Sequence, residues 1–403
     1  MPIQSNVNST LAFKVESTLG TPAGASGAAY LRRVSSTLSA NKDVFASNEV
    51  RTDQQVSDVR HGGRSVRGSI DGELSTATYD EFIQAALRGT WAAGVSVAPA
   101  DFATGVTIAN SGTGSSLTFA GAGNLITKGF KVGDIVRGAN LTNGANNGVN
   151  VRITALTATV MTVYPQLIAT GQQAASWSFA VQGSKLTMGV TKRSFTIEQA
   201  HPDISISERF VGCRIGGLSV NMPPNGVATC SFDVMGLDAS IMTSGSYPYF
   251  TTPTAAGNTG VLTGIDGAIR LNGVEQAVIT AAQLNYTNNL SMTPVIGSVI
   301  SPDIFYGREV VTGTVSAYLQ DETLINAFLN ETEVDLVLVA EEAGTANVGF
   351  LAFNMQRVKL NGAQKTIGPD GGVICQFPFQ ALLRSGGTGT VYDQSTLTIQ
   401  RSN

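Results

Sequence analysis

The chain has 403 residues, 42% of them hydrophobic and only 13% charged, with a formal net charge of -4. That balance argues against a surface built to grip nucleic acid, which needs clustered Lys and Arg, and no apolar run reaches the roughly 18 residues of a membrane-spanning helix. Three cysteines, Cys213, Cys230 and Cys375, are too few for a disulfide framework, so buried free thiols and synthesis in a reducing compartment are expected.

The opening stretch, residues 1–10, is polar and uncharged, unlike a secretory signal. Residues 30–38 read as a strand carrying Leu31, Val34 and Leu38, followed by a long polar connection over 39–63. From 64 to 74 the alternation is clean, with Val66, Gly68, Ile70, Gly72 and Leu74 on one side and Arg67, Ser69, Asp71 and Glu73 on the other. Period two predicts a sheet with one buried and one wet face. Residues 79–87 follow as a helix whose pairs Phe82/Ile83 and Ala86/Leu87 share one face, with Thr78 and Glu81 spaced as a capping box.

Residues 91–183 interrupt this pattern. Five short strands (116–119, 133–137, 149–156, 160–164 and 176–181) with turns such as Asn146-Asn147-Gly148 predict a small β-barrel or sandwich behind a linker at 99–112. Whole domains are tolerated at exposed loops, so this one is expected to face outward. Apolar runs at 193–198, 210–222 and 227–237 then resume the interrupted unit. A second course runs through a strand at 283–290, a connection at 291–306, a strand at 308–319, a helix at 321–329, and apolar runs at 334–340, 350–360 and 373–383.

The two courses match. Val66-Arg67-Gly68-Ser69-Ile70 parallels Val311-Thr312-Gly313-Thr314-Val315, and the helical pairs recur as Leu324/Ile325 and Phe328/Leu329. Gly226-Val227 before Cys230-Ser231-Phe232 is echoed by Gly372-Val373 before Cys375-Gln376-Phe377. Four features in one order indicate an internal duplication. The expected fold is mainly β: two β-sandwich or barrel units, each with a short flanking helix, plus an inserted all-β domain. Residues 1–90 and 184–260 form the first unit, 91–183 the insertion and 261–403 the second unit.

Catalytic patterns are missing. His61 and His201 sit in turn-like sequence, and neither His-Glu-x-x-His nor paired Cys-x-x-Cys occurs. Residues 361–366 end in Lys-Thr like a phosphate loop, but Gln364 stands where a glycine is needed, so a hairpin tip is expected. Residues 112–116 precede no helix and make no dinucleotide fingerprint. Asp71 and Glu73 imitate a carboxylate pair, yet neighbours on one strand face usually mean a solvated surface. No enzyme activity, cofactor or metal is expected.

The run Ser47-Asn48-Glu49-Val50-Arg51-Thr52-Asp53-Gln54-Gln55, then Gly62-Gly63-Arg64-Ser65-Val66-Arg67-Gly68, then Tyr79-Asp80-Glu81-Phe82 through Gly89-Thr90-Trp91, resembles the tail tube proteins of long, non-contractile bacteriophage tails. Ser194-Phe195-Thr196-Ile197-Glu198, Phe210-Val211-Gly212-Cys213-Arg214, Pro223-Pro224-Asn225-Gly226 and Gly307-Arg308 with Gly313 extend the likeness over most of the chain outside 91–183. The resemblance implies paired sheets with a flanking helix, assembled into stacked rings around the channel by which the genome leaves the capsid. Relatives with two fused units build a pseudo-hexagonal ring from three chains, so the duplication points to a homotrimer. The implied partners are further copies of the chain, tail terminator and tail-tip proteins, a tape measure protein in the lumen, and DNA passing without sequence-specific binding. Assembly is expected in the host cytoplasm and residence in the virion tail, with no membrane insertion.

On this reading Ser69, Asp71 and Glu73 of one strand and Thr312, Thr314 and Ser316 of the other line the channel. The two long connections reach the adjacent ring. The first offers the mixed charges Glu49, Arg51, Asp53, Asp58 and Arg60, and the second the apolar Val299, Ile304 and Phe305. The alternative is a tail-tip or adhesion protein binding host-surface carbohydrate, for which Trp91, Tyr164 and Trp177 are the few aromatic candidates.

Overall fold

The computed structural model describes residues 3–402 apart from 103–104, 174–175, 244, 272–273, 276–277, 321, 345, 369–370 and 386–389. Its main strands outside the insertion are β1 (Thr10–Val15), β2 (Ser35–Ser36), β3 (Ser39–Ala46), β4 (Val59–Glu73), β5 (Phe195–His201), β6 (Ile206–Met222) and β7 (Thr229–Gly236). There follow β8 (Thr263–Leu271), β9 (Ile279–Thr287), β10 (Val310–Tyr318), β11 (Val334–Glu341), β12 (Phe350–Leu360), β13 (Gln364–Thr366), β14 (Ile374–Ala381) and β15 (Thr398–Arg401). Helix α1 (Asp80–Leu87) follows β4, and α2 (Thr323–Leu329) follows β10. Asp321, expected to start the second helix, lies outside the described residues.

Neighbouring strands of these two courses run antiparallel, and the order of pairing repeats. In the first course β3 pairs β4, β4 pairs β7, β7 pairs β6, β6 pairs β5 and β5 pairs β1. In the second, β9 pairs β10, β10 pairs β14, β14 pairs β12, β12 pairs β11 and β11 pairs β8. The register repeats as well: Phe232 opposes Ile70, and Phe377 opposes Val315. Those are the partners that matching Gly68 with Gly313 and Cys230 with Cys375 requires.

One side of the first course is closed by a helix. Phe82, Ile83, Ala85, Ala86 and Leu87 of α1 are buried, and the Phe82 ring meets Phe13, Phe195 and Phe232 at centroid distances of 4.9, 5.2 and 5.6 Å. The expected capping box is not formed. Tyr79 is the N-cap and makes no side-chain cap, because the Thr78 hydroxyl is held by Ser75 at 2.6 Å. Asp80 and Glu81 in the first turn favour the helix dipole instead.

Other expectations change in detail. The strand expected at 30–38 breaks into Ala29–Tyr30 and β2. The connection expected at 39–63 is mostly a hairpin, β3 against the start of β4. All of β3 is exposed, so no buried face imposed a period that could be read. Residues 361–366 hold β13 rather than a hairpin tip, with Lys365 opposite Cys375. The linker expected at 99–112 contains the strand Val106–Ser111. All three cysteines are buried and free.

Residues 96–181 build an eight-stranded sheet, where five strands were expected, because polar segments such as Thr170–Gln173 also pair. It has its own core around Trp177, Phe119 and Phe179. Ile135 packs against Val337, Val339, Phe350 and Ala352 of β11 and β12, so the insertion seats on the second course.

An ionic cluster clamps this seat. Lys185 donates to Asp134 at 2.7 Å and to Asp393 at 3.1 Å. One ammonium serves two carboxylates. Burial pushes the Asp134 carboxyl up to about 6 despite Lys185, with the like charge of Asp393 adding to the rise. The folded chain therefore holds a proton there that the unfolded chain releases. Stability from this group is present below the ordinary carboxyl range and lost as pH rises through about 6. Denaturant titration should show wild type losing stability relative to Asp134→Asn as pH rises from about 4 to about 7. A difference that does not change with pH would contradict this.

Candidate functional site

The two courses are joined edge to edge. The C-terminal half of β6 pairs β7 on one side and β9 on the other, with Ser219 opposite Ser231 and opposite Asn285. The sheet thus continues without interruption as β3–β4–β7–β6–β9–β10–β14–β13. Directly paired residues in antiparallel strands lie on the same face, so rows of side chains can be followed across both courses.

One row reads Asp71, Ser231, Ser219, Asn285, Thr312, Gln380. The next reads Glu73, Thr229, Asn221, Gln283, Thr314, Pro378. Ser69 lies opposite Asp233, and Ser316 opposite Gln376. The opposite face is core: Ile70, Phe232, Leu218, Tyr286 and Val311 form a buried row. The structure therefore brings all six expected channel residues, Ser69, Asp71, Glu73, Thr312, Thr314 and Ser316, onto one polar face. Sequence period located them on two strands; the β6–β9 junction, with no local signature, makes those strands one surface.

The negative charge on this face is concentrated in the first course. Asp71 accepts from Ser35 Oγ and Ser231 Oγ, both at 2.5 Å. Ser69 N donates to Thr37 Oγ1 at 2.8 Å. Glu73 is exposed. The second course adds hydroxyls and amides, with Lys359 at its border 3.5 Å from Glu331.

The hairpin β3–β4 forms an arm. Arg51 pairs with Asp53 at 2.9 Å and Arg60 with Asp58 at 2.7 Å, and Ser57 Oγ donates to Glu49 at 3.2 Å. The charges expected to face a neighbour are thus paired within the arm, in exposed bridges that exchange partners at little cost. Val44, Phe45, Val50, Val56 and Val59 are exposed beside them. Apolar side chains clustered on an exposed arm mark a contact surface.

The second connection differs from expectation. Its ends pair as Ser291–Met292 against Ile304–Phe305, and Ile304 is fully buried against Met235 and Leu237. Ile304 is therefore corrected: its side chain is used inside the chain. Val299 and Phe305 stay about half exposed, as does Val295, and Ile296 is fully exposed. The loop is tied to the first course, since Arg64 N donates to Val299 O at 2.7 Å and Arg214 bridges to Asp303 at 2.8 Å. Arg88, which bridges to Glu309, and Arg214 both stack on Tyr306. Sequence reading missed this joint; three charged residues near Tyr306 were its only trace.

Two buried carboxylates of the interior are saturated by hydrogen bonds. Buried Glu16 accepts from Gly20 N, Ser194 Oγ, Thr196 Oγ1 and Gly212 N, and buried Glu198 from Ser207 Oγ, Tyr249 N and Phe250 N. Such saturated carboxylates hold loops in place. Burial pushes the Cys230 thiol up to about 12, far from a reactive thiolate. His61 is exposed on β4 and His201 Nδ1 lies 3.2 Å from Ser9 Oγ, both at strand positions rather than in turns. Among the described residues no group of three or more His, Cys, Asp or Glu is placed to hold a metal ion.

Residues 6–381 match the family described as Phage tail tube protein. No curated protein matches the chain.

The two acids of the face separate by their partners. Asp71→Lys leaves two hydroxyls without their acceptor and is expected to destabilise the chain by about 1–3 kcal/mol. Glu73 is exposed and makes no side-chain hydrogen bond or ion pair among the described residues, so Glu73→Lys is expected to stay within about 0.5 kcal/mol of wild type. Denaturant unfolding of both variants checks this, and equal losses would contradict the assigned hydrogen bonds.

Proposed function

Because the chain belongs to the phage tail tube protein family, we propose that its structural role in the virion tail is carried out by homotrimeric rings, stacked into the tube through which DNA leaves. Residues 1–90 with 184–260 serve as one tube unit and 261–403 as the second, so three chains supply six. The single observation that supports this reading is the β6–β9 junction, which pairs the two courses edge to edge with their polar faces aligned.

In this reading the polar face lines the lumen. DNA has to slide past it, and cationic contacts that displace counterions would hold it in place. Asp71 and Glu73 beside hydroxyl and amide side chains offer phosphate no such contact, and the cations of this face, Arg67 and Lys359, each stand near an acid, Asp233 and Glu331. Residues 91–183 form a separate domain on the outside of the ring, a placement supported by their own core and by their seat on β11 and β12. The arm reaches the adjacent ring with Glu49, Arg51, Asp53, Asp58 and Arg60, its charge pairs fixing rotational register, while Val299 and Phe305 of the second connection contribute apolar surface. Tail terminator, tail-tip and tape measure proteins complete the tail, assembled in the host cytoplasm.

The adhesion reading is less well supported. Trp177 is fully buried, and Trp91 lies under Arg401, so neither offers an open stacking platform for a sugar.

Native mass measurement of isolated rings is expected to give three chains; six chains, or monomers only, would overturn the trimer. Replacing residues 48–58 with a Gly-Ser turn is expected to leave rings that do not polymerise, as seen by electron microscopy. Full-length tubes from that variant would remove the arm from stacking.

A further inference from the structure

We propose that successive copies are joined by the same strand pairing that joins the two halves of one chain, in a register the chain itself specifies. The proposal rests on the ring reading above and assigns the contact residue by residue. Its two surfaces are the outer edge of β13 and the outer edge of residues 37–39, which lead into β3.

The template is the β6–β9 ladder, where Ser219, Val220 and Asn221 oppose Asn285, Leu284 and Gln283. Each of these residues has a counterpart in the other course. Ser219 and Val220 pair with Ser231 and Cys230 of β7, as Gln364 and Lys365 pair with Gln376 and Cys375 of β14. Asn221 opposes Thr229, as Thr366 opposes Ile374. Thus β13 occupies the place of the paired half of β6. Likewise Asn285 opposes Thr312, as Ser39 opposes Arg67. Gln283 opposes Thr314, while Thr37 N donates to Ser69 O. Leu38 falls at the place of Leu284.

Among the described residues β13 pairs only with β14, and β2 and β3 only with β4. Both outer edges are open. Burial marks them as unfinished. Met222, at the end of the internal ladder, is 4% exposed, whereas Ile367 at the matching position is 78% exposed. Val220 is fully buried and its counterpart Lys365 is exposed; Tyr286 is buried and its counterpart Ala40 is exposed. Unpaired strand edges of this kind template pairing with another chain.

Transferring the internal register places Gln364 opposite Ser39 of the next copy, Lys365 opposite Leu38 and Thr366 opposite Thr37, antiparallel. The two edges differ, so the contact is head-to-tail and generates a ring when its rotation closes. The ladder's phase follows too. Asn288 N donates to Gly216 O at 2.7 Å, which makes Ser219/Asn285 a non-hydrogen-bonded pair, the close-approach kind that a disulfide can span. Gln364 and Ser39 inherit that geometry, and both are exposed on the polar face.

The test is disulfide trapping in assembled full-length chain carrying Gln364→Cys with Ser39→Cys. A second variant, Gln364→Cys with Asn41→Cys, moves one cysteine two residues along the strand, beyond bridging distance. Native mass is recorded before oxidation, and denaturing non-reducing electrophoresis after it. The expected result is a covalent trimer from the first variant and single chains from the second. Three-chain rings without cross-linking in the first variant, or cross-linking mainly in the second, overturn the register while leaving the ring. Covalent hexamers keep the register and overturn the trimer. Monomers before oxidation overturn both.

Discussion

An antiparallel strand edge has hydrogen-bonding groups that must be satisfied, and this requirement organises the chain. At β6 both edges are satisfied, by β7 and by β9. That shared strand turns two similar units into one continuous sheet with a buried side and a wet side. The aromatic cluster around Phe82 closes the buried side of the first unit. The wet side consists of rows of hydroxyls, amides and a few acids, with Arg67 and Lys359 among them.

The same constraint explains where the chain is incomplete. The first helix is buried on its apolar face, whereas α2 has no fully buried residue and leaves Leu329 67% exposed. The arm leaves β3 exposed along its whole length. A chain that has ample core elsewhere exposes these surfaces at a cost in apolar hydration, on the order of 25 cal/mol per Å². Surfaces left open in this way are consistent with a subunit whose neighbours finish the structure.

Much of this organisation was legible from residue patterns. The alternation of Val66, Ile70 and Leu74 against Ser69, Asp71 and Glu73 identified both faces of β4, because one face was buried and imposed its period. The matched glycines and cysteines anticipated registers that the strand pairs share. The arm was read as a loop because neither of its faces is buried. The β6–β9 contact and the Arg88, Arg214 and Tyr306 joint were invisible, since both depend on segments distant in sequence. Ile304 was misplaced for the same reason: an apolar residue in a long connection has no local signal that says which surface covers it.

The central claim is that one continuous sheet, made of two equivalent units per chain, turns its polar face to a central lumen. A cryo-electron microscopic reconstruction of assembled tubes tests it most directly. Threefold rings, with the row from Asp71 through Ser219 and Thr312 to Gln380 facing the lumen, are the predicted result. That row on the outer surface, or six chains in each ring, would contradict it.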